Sequence, residues 1–197
     1  MRQPGRATLL ALPLALALAA PAAWAGEPAD QLFARIDEVL KILEDPALKP
    51  AARAQERRDA IRRVAEDIFD FHEITRRSLG RHWHARTPAE RLEFTRLFAE
   101  LLERSYIGKL ELYGGERITL LGDSVEGDVA TVRTRIVTRK GSEIPVEYRM
   151  LRQAARWRAY DVAIEGVSLI ANYRTQFDKV IQRTSFQQLV KQVRDKQ

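Results

Sequence analysis

The side chains through which this chain could do chemistry are few: His72, His82 and His84, the carboxylates of Asp161 and Glu165, and the hydroxyls of Ser78, Ser105 and Ser168. His82 and His84 are two residues apart, a spacing that on a strand would let both face one metal ion. They follow a helix stop at Gly80, and no carboxylate stands at ligand spacing. A structural or catalytic metal needs three or four convergent ligands, so no metal site is expected. Asp161 and Glu165 would point the same way from a strand and could pair as acid and base. No nucleophile or histidine is tied to them, and structural hydrogen bonding is the plainer role. Ser78, Ser105 and Ser168 lack the strand–turn–helix setting of an activated serine. There is no phosphate-cradling glycine loop. There is no cysteine, which removes thiol catalysis, Cys-ligated metals and disulfides. The residues therefore point away from an enzyme and toward a protein without catalytic residues or cofactor.

The elements that would position these residues follow from the apolar spacing. Leu32, Phe33, Ile36, Val39, Leu40 and Leu43 make one face of a helix over 28–43, and Ile61, Val64, Ala65 and Ile68 one face of a second over 51–68. A short helix over 73–79 stops at Gly80. Thr87-Pro88-Ala89-Glu90 reads as a capping box with proline at the first helical position. The helix it opens carries Leu97, Phe98, Leu101, Leu102 and Tyr106 and ends near 113–115. From there the period changes to two. Strands are expected over 117–121, 129–138, about 144–150 and 157–164, with a turn over 123–128. After Glu165-Gly166 the period returns to helical, with Ser168 as cap, over 168–184, and a last helix covers 186–194. The fold class is α+β: helices first, then a four-stranded curled antiparallel sheet, then helices, shaped by analogy like the cone of nuclear transport factor 2 with a cavity inside.

Length and charge narrow the setting. The 197 residues are 45% hydrophobic, enough for one real core. Arg2 and Arg6, the apolar run from Leu9 to Ala20 and the Ala23-Trp24-Ala25 site read as a cleavable signal peptide over 1–25, leaving a domain over 26–197. No cysteine follows the cleavage site to carry a lipid anchor. Without those two arginines, 31 basic residues face 27 acidic ones, a net of +4. Arginines and glutamates are interspersed, so no nucleic-acid partner is expected, while a weak attraction to anionic membrane surfaces remains.

Phe69-Asp70-Phe71-His72-Glu73-Ile74-Thr75-Arg76-Arg77-Ser78-Leu79-Gly80-Arg81-His82-Trp83 resembles a signature of the MlaC family, the toluene-tolerance auxiliary proteins. So do the segment from Thr87 through Phe94, Leu97-Phe98 and Leu101-Leu102, and the C-terminal Tyr160-Asp161-Val162, Glu165-Gly166-Val167-Ser168-Leu169, Asn172-Tyr173-Arg174 and Phe177. The resemblance implies a monomeric periplasmic carrier with a phospholipid as cargo. It implies two partners: an inner-membrane Mla ABC transporter complex with a hexameric lipid-binding ring, and an outer-membrane lipoprotein–porin complex. The traffic between them maintains outer-membrane lipid asymmetry. Two other readings stand beside it: a small-molecule enzyme on a cone-shaped fold, and a ligand-free periplasmic adaptor with a filled core. The shared inward phase of strands and helices nominates a lipid-binding lining of Leu97, Leu101, Tyr106, Val132, Ile136, Ile144, Val146, Tyr148, Val162, Ile164, Ile170 and Tyr173.

Overall fold

A computed structural model describes residues 26–196. The expected signal peptide lies outside the described residues. Helices α1 (Glu27–Glu44), α2 (Ala54–Ile68), α3 (Phe71–Leu79) and α4 (Pro88–Leu110) come first. Strands β1 (Arg117–Glu126), β2 (Val129–Val137), β3 (Glu143–Gln153), β4 (Arg156–Ile164) and β5 (Val167–Ser168) form one antiparallel sheet in sequence order. Helices α5 (Leu169–Arg183) and α6 (Phe186–Asp195) close the chain. This is the α+β order expected, with corrections to the strands.

The sheet has five strands where four were expected. Glu165 (φ 51°) and Gly166 (φ 80°) are both left-handed, the backbone of a two-residue hairpin turn. The turn returns the chain along β4 for two residues before α5 begins, so the corner expected to run straight into a helix contains a strand. The first strand is also twice as long as expected. Its register with β2 slips between Leu120 and Gly122, and pairing resumes through Asp123, Ser124, Val125 and Glu126. The polar run that read as a turn is thus strand beyond a bulge, and the turn contracts to Gly127-Asp128.

Caps set the helix starts. Glu90 N–H donates to Thr87 Oγ1 at 3.2 Å and Thr87 N–H donates to the Glu90 carboxylate at 2.8 Å, the reciprocal box read from the sequence. Ser168 Oγ accepts from Ala171 N–H and caps α5. Asp70 accepts from Glu73 N–H, so α3 begins at Phe71, two residues earlier than its apolar spacing indicated.

Two apolar clusters result. One lies among α3, α4, α5 and α6 around Phe94, Phe98, Phe177 and Phe186. Phe98 sits 4.9 Å from the Tyr173 ring and 5.0 Å from Phe177, and Phe94 sits 5.5 Å from Phe177. These tilted contacts fill the space between the helices. The other cluster joins Ala29, Leu32 and Ile36 of α1 and Ile68 of α2 to Ala130, Val132, Met150, Trp157 and Ala159 on the sheet.

Candidate functional site

One face of the sheet is apolar along its whole length, because the registers align the alternate residues. Val132 pairs with Tyr148 and Tyr148 with Val162; Ile118 pairs with Ile136 and Ile136 with Ile144; Val146 pairs with Ile164. Helices α1 and α2 cover only one end of this face. There Ala130, Val132, Met150 and Ala159 are essentially inaccessible. Along the strands toward the other end, Ile118, Leu120, Ile136, Ile144, Tyr148 and Val162 are only half-buried, and Ile164 is 43% exposed. Val146 and Thr134 are the buried exceptions, where Thr134 Oγ1 donates to the Val146 carbonyl at 3.1 Å.

Tyr148 gives the depth of this uncovered region. Burial alone pushes its phenol up to about 12. Yet the side chain keeps accessible surface. A group this enclosed that still keeps accessible surface stands where the packing is incomplete.

Helix α5 packs on α3 and β4. Helix α4 packs chiefly on α3, α6 and α2 rather than on the sheet. Its C-terminal half is tied to α2 by Arg62 on Glu103, and the residue that follows it, Glu111, by Arg57 and Arg58 at 2.8 and 2.9 Å. Such partly exposed pairs are worth about 0–1 kcal/mol each and serve here to align two helices. Tyr106 and Tyr173 are half-buried at the margin of the helical cluster, and burial raises both phenols. Ser105 beside Tyr173 offsets part of that rise.

The twelve nominated residues therefore fall into groups. Leu97, Leu101 and Ile170 are fully buried in the helical cluster, and Tyr106 and Tyr173 stand at its edge. Val132 is buried under α1 and α2, with Tyr148 packed against that cluster. Val146 is buried within the sheet face. Ile136, Ile144 and Val162 lie on the uncovered stretch and Ile164 at its outer limit. Ile118 and Leu120 share this face and were not nominated; the signal was present, since they alternate with polar residues just as β2 does.

Asp161 has a structural task. It is 4% exposed and accepts from Ser168 Oγ at 2.6 Å, from Ile170 N–H at 3.1 Å and from Arg149 Nη1 at 3.3 Å. One carboxylate thus satisfies the first turn of α5 and fixes it to β4. Glu165 is exposed on the hairpin turn and does not join it. The histidines are also separate. His72 stacks edge-on against Trp83 at 5.1 Å, and His82 Nε2 lies 2.7 Å from Asp178 Oδ1. With Arg81 beside it as well, the Asp178 carboxyl is held down at about 2. Among the described residues no group of three or more His, Asp or Glu is placed to hold a metal ion. None of the helices among them is long and apolar enough to cross a membrane.

Two small pockets lie elsewhere, and none of the twelve residues lines either. One, about 250 Å³, lies among Gln31, Leu32, Asp67, Met150, Arg156 and Trp157; the other, about 330 Å³, lies at the β1–β2 hairpin.

Comparison with known proteins places this arrangement. The profile of the MlaC protein family matches residues 34–195. The toluene tolerance protein ttg2D of Pseudomonas putida is 24% identical over 127 residues, which are 64% of this chain and 59% of that protein. The chain thus matches little more than half the length of that curated relative. A solved structure, the phospholipid-binding protein of Ralstonia solanacearum in complex with a phospholipid, superposes with a TM-score of 0.75 at 25% identity. The match covers 85% of this chain and 94% of that one.

Proposed function

This chain belongs to the MlaC family, and from that premise we propose that it carries a phospholipid, with the acyl tails held against the uncovered face of the sheet. The observation that carries the reading is the difference in burial between the two ends of one continuous apolar face, from inaccessible Ala130, Val132, Met150 and Ala159 at one end to half-buried Ile118, Ile136 and Ile144 and exposed Ile164 at the other. A protein that needed this face only for its core would cover it. The phospholipid in the Ralstonia solanacearum relative supports the same cargo. The tails would lie along this face, with the headgroup toward solvent.

The energetics suit a carrier. A diacyl lipid has about 30 methylenes at ~0.8 kcal/mol each, so crossing water unaided costs on the order of 20 kcal/mol. A lining as apolar as a bilayer offsets most of that and leaves exchange near balance. Two tails need about 1,000 Å³, far more than the two small pockets provide. The uncovered face would therefore have to open further to take both tails. In the cell the carrier would shuttle through the periplasm between an outer-membrane lipoprotein–porin complex and an inner-membrane ABC transporter, after export by the signal peptide over 1–25.

The test is organic extraction of protein purified without detergent, followed by mass spectrometry. About one phospholipid per chain is expected, and its headgroups should follow those of the host. Ile136→Glu should abolish the lipid while the protein still folds, because an unpaired carboxylate is costly against acyl chains and tolerable in a space that water can fill. Extracts free of phospholipid, together with no uptake from vesicles, would refute the carrier and favour an adaptor.

A further inference from the structure

The uncovered face ends in a rim of exposed apolar side chains. Leu110 and Leu112 are 40% and 80% exposed where α4 ends, and Ile164 and Val167 are 43% and 64% exposed on either side of the β4–β5 turn. Strand pairing puts Ile164 and Val167 at one end of the sheet, and the chain after Leu112 leads to the same end. The chain leaves Leu112 through Gly114, which lies against the Arg139 side chain at the β2–β3 turn. The start of β1 pairs with the end of β2, the end of β2 with the start of β3, and the start of β3 approaches the end of β4, which pairs with β5. Five strands at about 4.8 Å spacing make this edge ~20 Å wide. Other exposed apolar residues, such as Leu92 on the flank of α4, are isolated from it.

We propose that this rim docks on a lipid bilayer surface, with Leu110, Leu112, Ile164 and Val167 inserted among the headgroups. The inference rests on the carrier reading for its purpose and on two features for its partner. The first is continuity. Ile164 belongs both to the rim and to the apolar face that continues inward through Val162, Tyr148 and Ile136. A tail leaving a bilayer along that path meets apolar surface throughout and is never wetted. The second is charge. Arg117, Arg139 and Lys140 stand at this end against the carboxylates of Glu116 and Glu165, and of these cations Arg139 is drawn to Glu116. The slight cationic excess favours anionic headgroups, while insertion of the apolar side chains provides most of the attraction.

The experiment is flotation of the full chain with vesicles of phosphatidylethanolamine and phosphatidylglycerol, alongside extraction of its bound lipid. The wild-type protein should float with the vesicles. A double variant, Leu112→Asp with Val167→Asp, should lose about tenfold in vesicle affinity. Leu92→Asp, an equally exposed change away from the rim, should float like wild type, and all three should melt alike. The proposal is overturned if the double variant floats like wild type or if Leu92→Asp is impaired equally. It is also overturned if the wild-type protein ignores vesicles and engages only a protein partner. Rim-dependent flotation by a protein that contains no extractable lipid would leave the docking surface standing and remove the carrier reading instead.

Discussion

Phe98 on α4 and Ile136 on β2 are both large apolar side chains on the inward face of their elements. Phe98 is inaccessible and touches three aromatic rings, Phe94, Tyr173 and Phe177. Ile136 keeps accessible surface beside Ile118 and Ile144. Composition does not distinguish the helical cluster from the far end of the sheet; coverage does. Where four helices meet, rings interdigitate and the interior is finished. Where α1 and α2 stop short, the same kind of side chain is left for something else to cover. One region is finished core, and the other keeps the open apolar surface on which the carrier reading rests.

The sharpest way to break this contrast is to truncate one residue in each region. Phe98→Ala should cost about 3–5 kcal/mol, since its neighbours cannot collapse into the vacated ring. Ile136→Ala should cost about 1 kcal/mol, below the usual buried range, because the site is already incompletely packed. Urea denaturation of lipid-stripped protein measures both. Equal losses would mean that the sheet face is ordinary core. Next in size is the joint between the regions. Asp161→Ala leaves Ile170 N–H and Ser168 Oγ without their acceptor and should cost about 1–3 kcal/mol. It should also loosen α5, so amide exchange at residues 169–173 should rise before exchange at Phe94 or Phe98. Uniform exchange across the chain would show that Asp161 does not anchor the helix.

How much of this was legible depended on whether the governing contact was local. The capping box at Thr87 and Glu90 and the cap at Ser168 each need only residues three apart, and both were readable. The alternation of β2 and β3 gave the inward face correctly because the side-chain period of a strand is two. Asp123 to Glu126 misled, since a polar run is also what strand looks like beyond a bulge, on a hairpin that projects into solvent. The β4–β5 hairpin was hidden because its second strand is two residues long and its turn places Glu165, not a glycine, in a left-handed conformation. Division of the twelve lining residues between filled core and uncovered face was beyond pattern altogether. Leu101 and Ile136 have the same inward phase, and only the lengths and crossings of α1, α2 and α4 decide which is covered.

The smallest expected effect probes the uncovered region most directly. Tyr148→Phe removes one hydroxyl from the sheet face. In a finished core that hydroxyl would be bonded, and its loss would cost about 1 kcal/mol. Here it has no hydrogen-bond partner among the described residues. The change should therefore shift stability by less than about 0.5 kcal/mol. Its pH dependence supplies a second reading. Burial raises the folded phenol to about 12 from an ordinary value of 10. Between those values the unfolded chain releases this proton while the folded chain keeps it. Unfolding is thereby favoured, and stability falls as pH rises from about 10 to 12. Tyr148→Phe should remove that part of the alkaline loss and leave stability at neutral pH unchanged. An unchanged alkaline limb, or a large loss at neutral pH, would place Tyr148 in ordinary packing.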